Sequence, residues 1–202
     1  MSKRTPLLLI VSSPSGAGKT TLCKRLLEEF KDVRFSISHT TRPPRSNEVD
    51  GQDYFFINNE TFNKMQDDDQ FIECAHVHGN SYGTSLGEIK TAAANEVDLI
   101  FDIDYQGTRQ VKERYPDAIA IFIMPPSIDE LKRRLSSRGT ETPESLEKRF
   151  TAALGEIAHY DEFDYLLVND NLDEAYDRLR AILISQRITT VRNNTLAKQL
   201  LS

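Results

Sequence analysis

Ser13-Pro14-Ser15-Gly16-Ala17-Gly18-Lys19-Thr20 stands between a short apolar run at residues 7–11 and a segment, 19–30, in which Leu22, Leu26, Leu27 and Phe30 recur at helical spacing. The unbroken apolar run, bounded by Ser12 and Ser13, suits a strand covered on both faces, and the later spacing suits a helix with one apolar stripe. A strand, a small-residue loop and a helix in that order make an anion cradle. Successive backbone N–H groups can close around phosphate oxygens, and the helix N-terminus adds partial positive charge.

The octapeptide fits the P-loop pattern with one departure, since Ser13 stands where the motif has its first glycine. That position tolerates a small residue better than Gly18 does, because the backbone approaches the phosphate most closely at Gly18. Ser13, Pro14, Ser15, Gly16, Ala17 and Gly18 are therefore expected to wrap a nucleoside triphosphate such as ATP. Lys19 is expected to reach its β- and γ-phosphates, and the Thr20 hydroxyl to sit on Mg²⁺. The plainer reading is a glycine turn followed by a solvated lysine. It is the weaker one, because a lysine at a helix start opposes the macrodipole unless an anion is present.

Outward from the loop, buried strands are expected at 97–103, 118–123 and 165–168, with helices between them, which is the alternation of a parallel α/β sheet. Ser85 with Glu88, Ser127 with Glu130 and Asn171 with Glu174 read as helix caps. The middle differs: a brief strand at 35–38, a Pro-interrupted loop over 40–53, short strands at 54–57 and 71–78 around a helix near 61–65, and a turn at Gly79-Asn80. This reads as an inserted lobe. Residues 138–142 break a helix that starts again after Thr142-Pro143.

The 202 residues, 39% of them hydrophobic, allow one well-filled core. A formal net charge of −6 argues against tracking a nucleic-acid backbone. Cys23 and Cys74 lack the number and spacing of a disulfide framework or a zinc site. The run at 7–11 is too short to cross a bilayer, and the first six residues lack the apolar stretch of a secretory signal. A cytoplasmic location without membrane attachment is expected.

Ser38-His39-Thr40-Thr41-Arg42-Pro43-Pro44-Arg45 sets two arginines in a proline-stiffened segment able to grip a phosphate with bidentate donors. Then come Gly51-Gln52-Asp53-Tyr54, Phe71-Ile72-Glu73, Gly79-Asn80-Ser81-Tyr82-Gly83-Thr84 and Asp102-Ile103-Asp104-Tyr105-Gln106-Gly107. In this order and spacing, from about residue 7 to about 188, the chain resembles the guanylate kinases. The resemblance implies a P-loop fold with a parallel-sheet core at 5–37 and 97–188, a GMP-binding lobe at about 38–84, a helical lid at about 126–150 and a tail at 189–202. It also implies transfer of a phosphoryl group from ATP to GMP or dGMP. On it, Arg42, Arg45, Tyr54 and Tyr82 hold the acceptor phosphate. Ser38, Glu73, Thr84 and Asp104 read the base, and Asp102 lies near metal and reacting phosphates. Arg134, Arg138 and Arg149 approach the phosphates of ATP when the lid closes, and Asn169 lies near its adenine.

Chemistry supports the base readers independently. The guanine edge presents N1–H and N2–H₂ beside one acceptor, O6, so the Glu73 carboxylate can take both donors while the Thr84 hydroxyl donates to O6. Asp102 and Asp104 close an apolar strand at the sheet edge where α/β ligands bind. The rival reading is a guanylate-kinase-like binding module without catalysis. Its mark would be a damaged P-loop, whereas Gly18, Lys19 and Thr20 are intact. The four histidines show no metal-ligand spacing. The apolar periodicity of the last helix serves either the core or a second copy in a homo-oligomer.

Overall fold

The computed structural model describes residues 5–77, 79–136 and 143–201. The chain begins β1 (Leu8–Ser12), α1 (Lys19–Glu29), β2 (Val33–Phe35), β3 (His39–Thr40), β4 (Phe55–Phe56), α2 (Asn59–Asp67), β5 (Phe71–Val77) and β6 (Asn80–Ser85). It continues α3 (Leu86–Asn95), β7 (Asp98–Asp102), α4 (Tyr105–Arg114), β8 (Ile119–Met124), α5 (Ile128–Ser136), α6 (Pro143–Ile157), β9 (Tyr165–Val168), α7 (Leu172–Arg187) and α8 (Thr195–Leu200).

The core sheet has the order β2-β7-β1-β8-β9, and every pairing in it is parallel. Alternation along β1 explains its unbroken apolar composition. Leu7, Leu9 and Val11 pack with Leu22 and Leu26 of α1 and Leu179 and Leu183 of α7. Leu8 and Ile10 pack on the other face with Ala92 of α3 and Val111 of α4. Helices α5 and α6 hold a small core of their own, in which Leu131 and Leu135 of α5 meet Ala153 of α6.

A second sheet, β4-β3-β6-β5, forms the lobe. β5 and β6 make an antiparallel hairpin, and Gly79 at φ 79° lies in its turn. Two expectations are corrected here. Residues 36–38, read as part of one strand, join β2 in the core sheet to β3 in the lobe sheet, and the stretch after Gly79, read only as a turn, continues as β6. The Ser85–Glu88 box is not made either, since the Ser85 side chain caps nothing. Buried Glu88 instead accepts hydrogen bonds from Arg34 at 2.7 Å and from the Ile37 N–H at 2.9 Å. His78 and the lid segment containing Arg138 lie outside the described residues.

At the other end of the sheet, the fully buried Asp98 accepts from the Leu7 N–H at 2.7 Å and from Arg187 Nε at 2.8 Å. Removing one member of such a pair strands the other. Asp98→Ala is expected to lose about 3–5 kcal/mol of stability, read from urea unfolding.

Candidate active site

The P-loop leaves the C-terminal end of the central strand, and its shape explains which glycines it needs. Gly16 and Gly18 have φ of 90° and 95°, the left-handed region that L side chains disfavour. Ser13 is not among the positive-φ residues, so it stands in for glycine without strain. A Cβ on Gly18 would lie 2.3 Å from Asn169 Nδ2. That amide is pinned, because the buried Asn169 donates to the Ala17 carbonyl at 2.8 Å. Gly18→Ala adds about 1–3 kcal/mol of backbone strain to this clash. The expected result is about 10-fold to 100-fold weaker ATP binding by calorimetry, with a lowered melting temperature.

Asn169 thus supports the loop from beneath. Its carbonyl accepts from Arg134 Nη2 at 3.0 Å, which ties α5 to the same corner. Arg134 also donates from Nε to Glu130 at 2.7 Å, and Arg133 forks onto the same carboxylate. Those hydrogen bonds hold Glu130 down at about 2. The Ser127 cap is half of a capping box: its hydroxyl accepts the Glu130 N–H at 3.1 Å, but the Glu130 carboxylate serves the arginines. Arg149 on α6 donates to Ser15 Oγ at 2.7 Å.

Lys19 forms an ion pair with Asp102, with side chains 18% and 45% exposed. The register Val11↔Asp102 between neighbouring parallel strands places the acid beside the start of the loop. The Thr20 hydroxyl, on the exposed first turn of α1, and the Asp102 carboxylate are hard oxygen donors of the kind Mg²⁺ accepts. No group of three or more His, Cys, Asp or Glu able to hold a metal occurs among the described residues.

Opposite the P-loop, a cavity of about 310 Å³ opens between the lobe residues Glu73, Tyr54 and Tyr82 and the core residues Asp102 and Asp104. A larger hollow, about 840 Å³, lies at the far end of the sheet by Thr5, Lys112 and Asp164, away from the strand ends where α/β folds bind ligands. Glu73 is 5% exposed and sits just after a register shift that sets two β5 residues against one of β6. Burial pushes its carboxyl above the ordinary range, partly opposed by hydrogen bonds from Thr84.

Thr84 is tied to the same carboxylate: its hydroxyl and its N–H both donate to Glu73 Oε1, at 2.7 and 3.0 Å. Ser38 Oγ lies 2.9 Å from Thr84 Oγ1, and since the Thr84 proton is committed, Ser38 is the donor of that pair. This chain fixes the carboxylate and leaves Oε2 beside Gly107. Asp104 caps α4, taking the Gln106 and Gly107 N–H groups on Oδ1 at 2.9 and 3.0 Å.

Arg42 lies over the rings of Tyr54 and Phe56, at 5.5 and 5.9 Å, and Tyr54 meets Tyr82 edge-on at 6.1 Å. Arg45 is far more exposed, at 73%. Motif reading missed what holds this group: Glu48, 11% exposed, takes Arg42 Nη2 on one oxygen and the Arg45 N–H on the other, each at 2.8 Å. An acid three residues beyond a loop arginine was its visible signal. Gln110 was missed too. It bonds both the N–H and the carbonyl of Cys74, at 2.9 and 3.0 Å, clamping the lobe strand to a core helix.

Comparisons with known proteins bear on the family. The family model described as guanylate kinase matches residues 4–186. The guanylate kinase of Geobacter sulfurreducens is 46% identical over 190 residues, 94% of each chain. That of Thiobacillus denitrificans is 48% identical over 186 residues, 92% of this chain and 89% of its own. The crystal structure of guanylate kinase from Anaplasma phagocytophilum superposes with a TM-score of 0.76 at 33% identity, covering 98% of this chain and 95% of that one. On a match that spans nearly all of its length, the chain belongs to the guanylate kinase family.

Proposed function

We propose that the protein transfers the γ-phosphoryl group of ATP to GMP, giving ADP and GDP. The observation that carries the reading is a buried, pre-set carboxylate, Glu73, in a cavity that faces Lys19 and Asp102 across the cleft. Glu73 Oε2 and Asp104 take the N–H donors of guanine, and Arg42, Arg45, Tyr54 and Tyr82 surround the acceptor phosphate. The attacking oxygen is already anionic near neutral pH, so no general base is needed. What the chain supplies is alignment and positive charge: Lys19 and the P-loop amides on the donor phosphates, joined by Arg134, Arg138 and Arg149 when the lid closes and excludes water. Bound Mg²⁺, held through Thr20 and Asp102, would neutralise phosphate charge.

The proposed partners are small molecules, and no helix of the described residues is long and apolar enough to cross a membrane. We place the protein in the cytoplasm. ADP formation in a coupled assay with GMP, dGMP, AMP, CMP and UMP tests the reading. Turnover is expected with GMP, more weakly with dGMP, and at background with the others, whereas a preference for AMP would reject the base assignment.

A further inference from the structure

Glu156 belongs to none of the sequence motifs, yet it reaches the acceptor cavity from the lid. It lies on α6 seven residues after Arg149, two turns along, so the two side chains share a helix face. Buried Ala153 lies between them on that face. Arg149 meets the P-loop at Ser15, while the Glu156 carboxylate lines the cavity with Glu73, Tyr82 and Asp104. Its Oε2 is buried and has no hydrogen-bond partner among the described residues.

Such an oxygen calls for a donor. Burial pushes the Glu156 carboxyl above its ordinary range; Lys19 and the Ser15 N–H pull it back and Asp104 adds to the rise. Those neighbours locate the group between the P-loop and the base-reading end. On a guanine nucleotide the base donors face Glu73 and Asp104, and the phosphate is an anion that a carboxylate repels. The remaining donors are the two ribose hydroxyls, which lie between base and phosphate.

We infer that Glu156 is a specificity-determining residue of the acceptor site, its Oε2 accepting a hydrogen bond from a ribose hydroxyl and so tying the lid to the sugar. The inference rests on the GMP site proposed above. It is tested by steady-state kinetics of the wild type, Glu156→Gln and Glu156→Ala with GMP, 2′-deoxy-GMP and 3′-deoxy-GMP at saturating ATP.

In the wild type, removing the contacted hydroxyl is expected to lower kcat/KM by about 10-fold or more, as for a hydrogen bond to a charged group. In Glu156→Ala the GMP value falls toward that of the deoxy nucleotide and the ratio between them collapses toward one. The near-isosteric Glu156→Gln, folded by circular dichroism, keeps a neutral acceptor and an intermediate ratio. A ratio in Glu156→Ala equal to that of the wild type for both analogues overturns this assignment alone, as does a wild type indifferent to both hydroxyls. A wild type that does not phosphorylate GMP overturns the acceptor site itself.

Discussion

Lys19→Ala is expected to lower kcat by at least about 10³-fold, the scale on which a single group stabilising transition-state charge acts, while the fold stays intact. On the proposed mechanism the ammonium is the charge the P-loop brings nearest the moving phosphoryl group, and its ion-pair partner Asp102 is 45% exposed. An ion pair this open contributes little to stability, so the melting temperature is expected to hold. Steady-state turnover with ATP and GMP, set beside a thermal melt, separates the two effects. Wild-type turnover in a folded Lys19→Ala protein would remove the lysine from the transfer step.

Glu73→Gln is expected to cut kcat/KM for GMP by about 10⁴-fold, as when a site built for particular hydrogen bonds meets the wrong pattern, and to leave the KM for ATP unchanged. The local geometry makes the variant clean. The glutamine oxygen can keep both bonds from Thr84, which turns the new NH₂ group toward the position of Oε2. There it meets the guanine N–H groups donor to donor.

Acid has a related effect with a definite sign. Because burial raises the folded-state pKa of Glu73, the carboxylate protonates at higher pH than an exposed glutamate, and GMP binding weakens as pH falls through that raised value. For stability the sign is reversed: the folded state binds this proton more tightly than the unfolded chain, so its contribution declines as pH rises from the unfolded value through the folded one. Glu73→Gln is therefore as stable as the wild type at neutral pH, or more so. Equal losses for GMP and ATP would argue against base reading by this residue.

The core was legible because its signals are local. An apolar run covered on both faces, glycines at two left-handed positions and helical spacing in 19–30 all act within a few residues. Asp102 could be placed beside the P-loop from the strand it ends. The lobe was harder to read. β6 carries Asn80 and Gly83, poor strand formers alone, and is a strand because it pairs with β5 on one side and β3 on the other.

What spacing left unread has one cause. Glu88 matched a cap by spacing, but its partners lie 54 and 51 residues away. The bond from Thr84 to Glu73 joins residues that stand opposite each other on neighbouring strands. Spacing along the chain shows which groups are present and leaves open which of them find each other first. Glu156 is the exception. Its interval from Arg149 is a helical one, and that signal was available in the sequence.

Glu88 also governs how the lobe is mounted. The chain passes from core to lobe at Arg34 to Ile37 and comes back through α3, and one carboxylate on α3 grips the outgoing segment at two points. Both cords of the lobe are thus tied at one post, and the Gln110 bonds to Cys74 add a second hold on the core. The two sheets share no strand among the described residues, so side-chain bonds of this kind carry part of the work of setting Glu73 against the core.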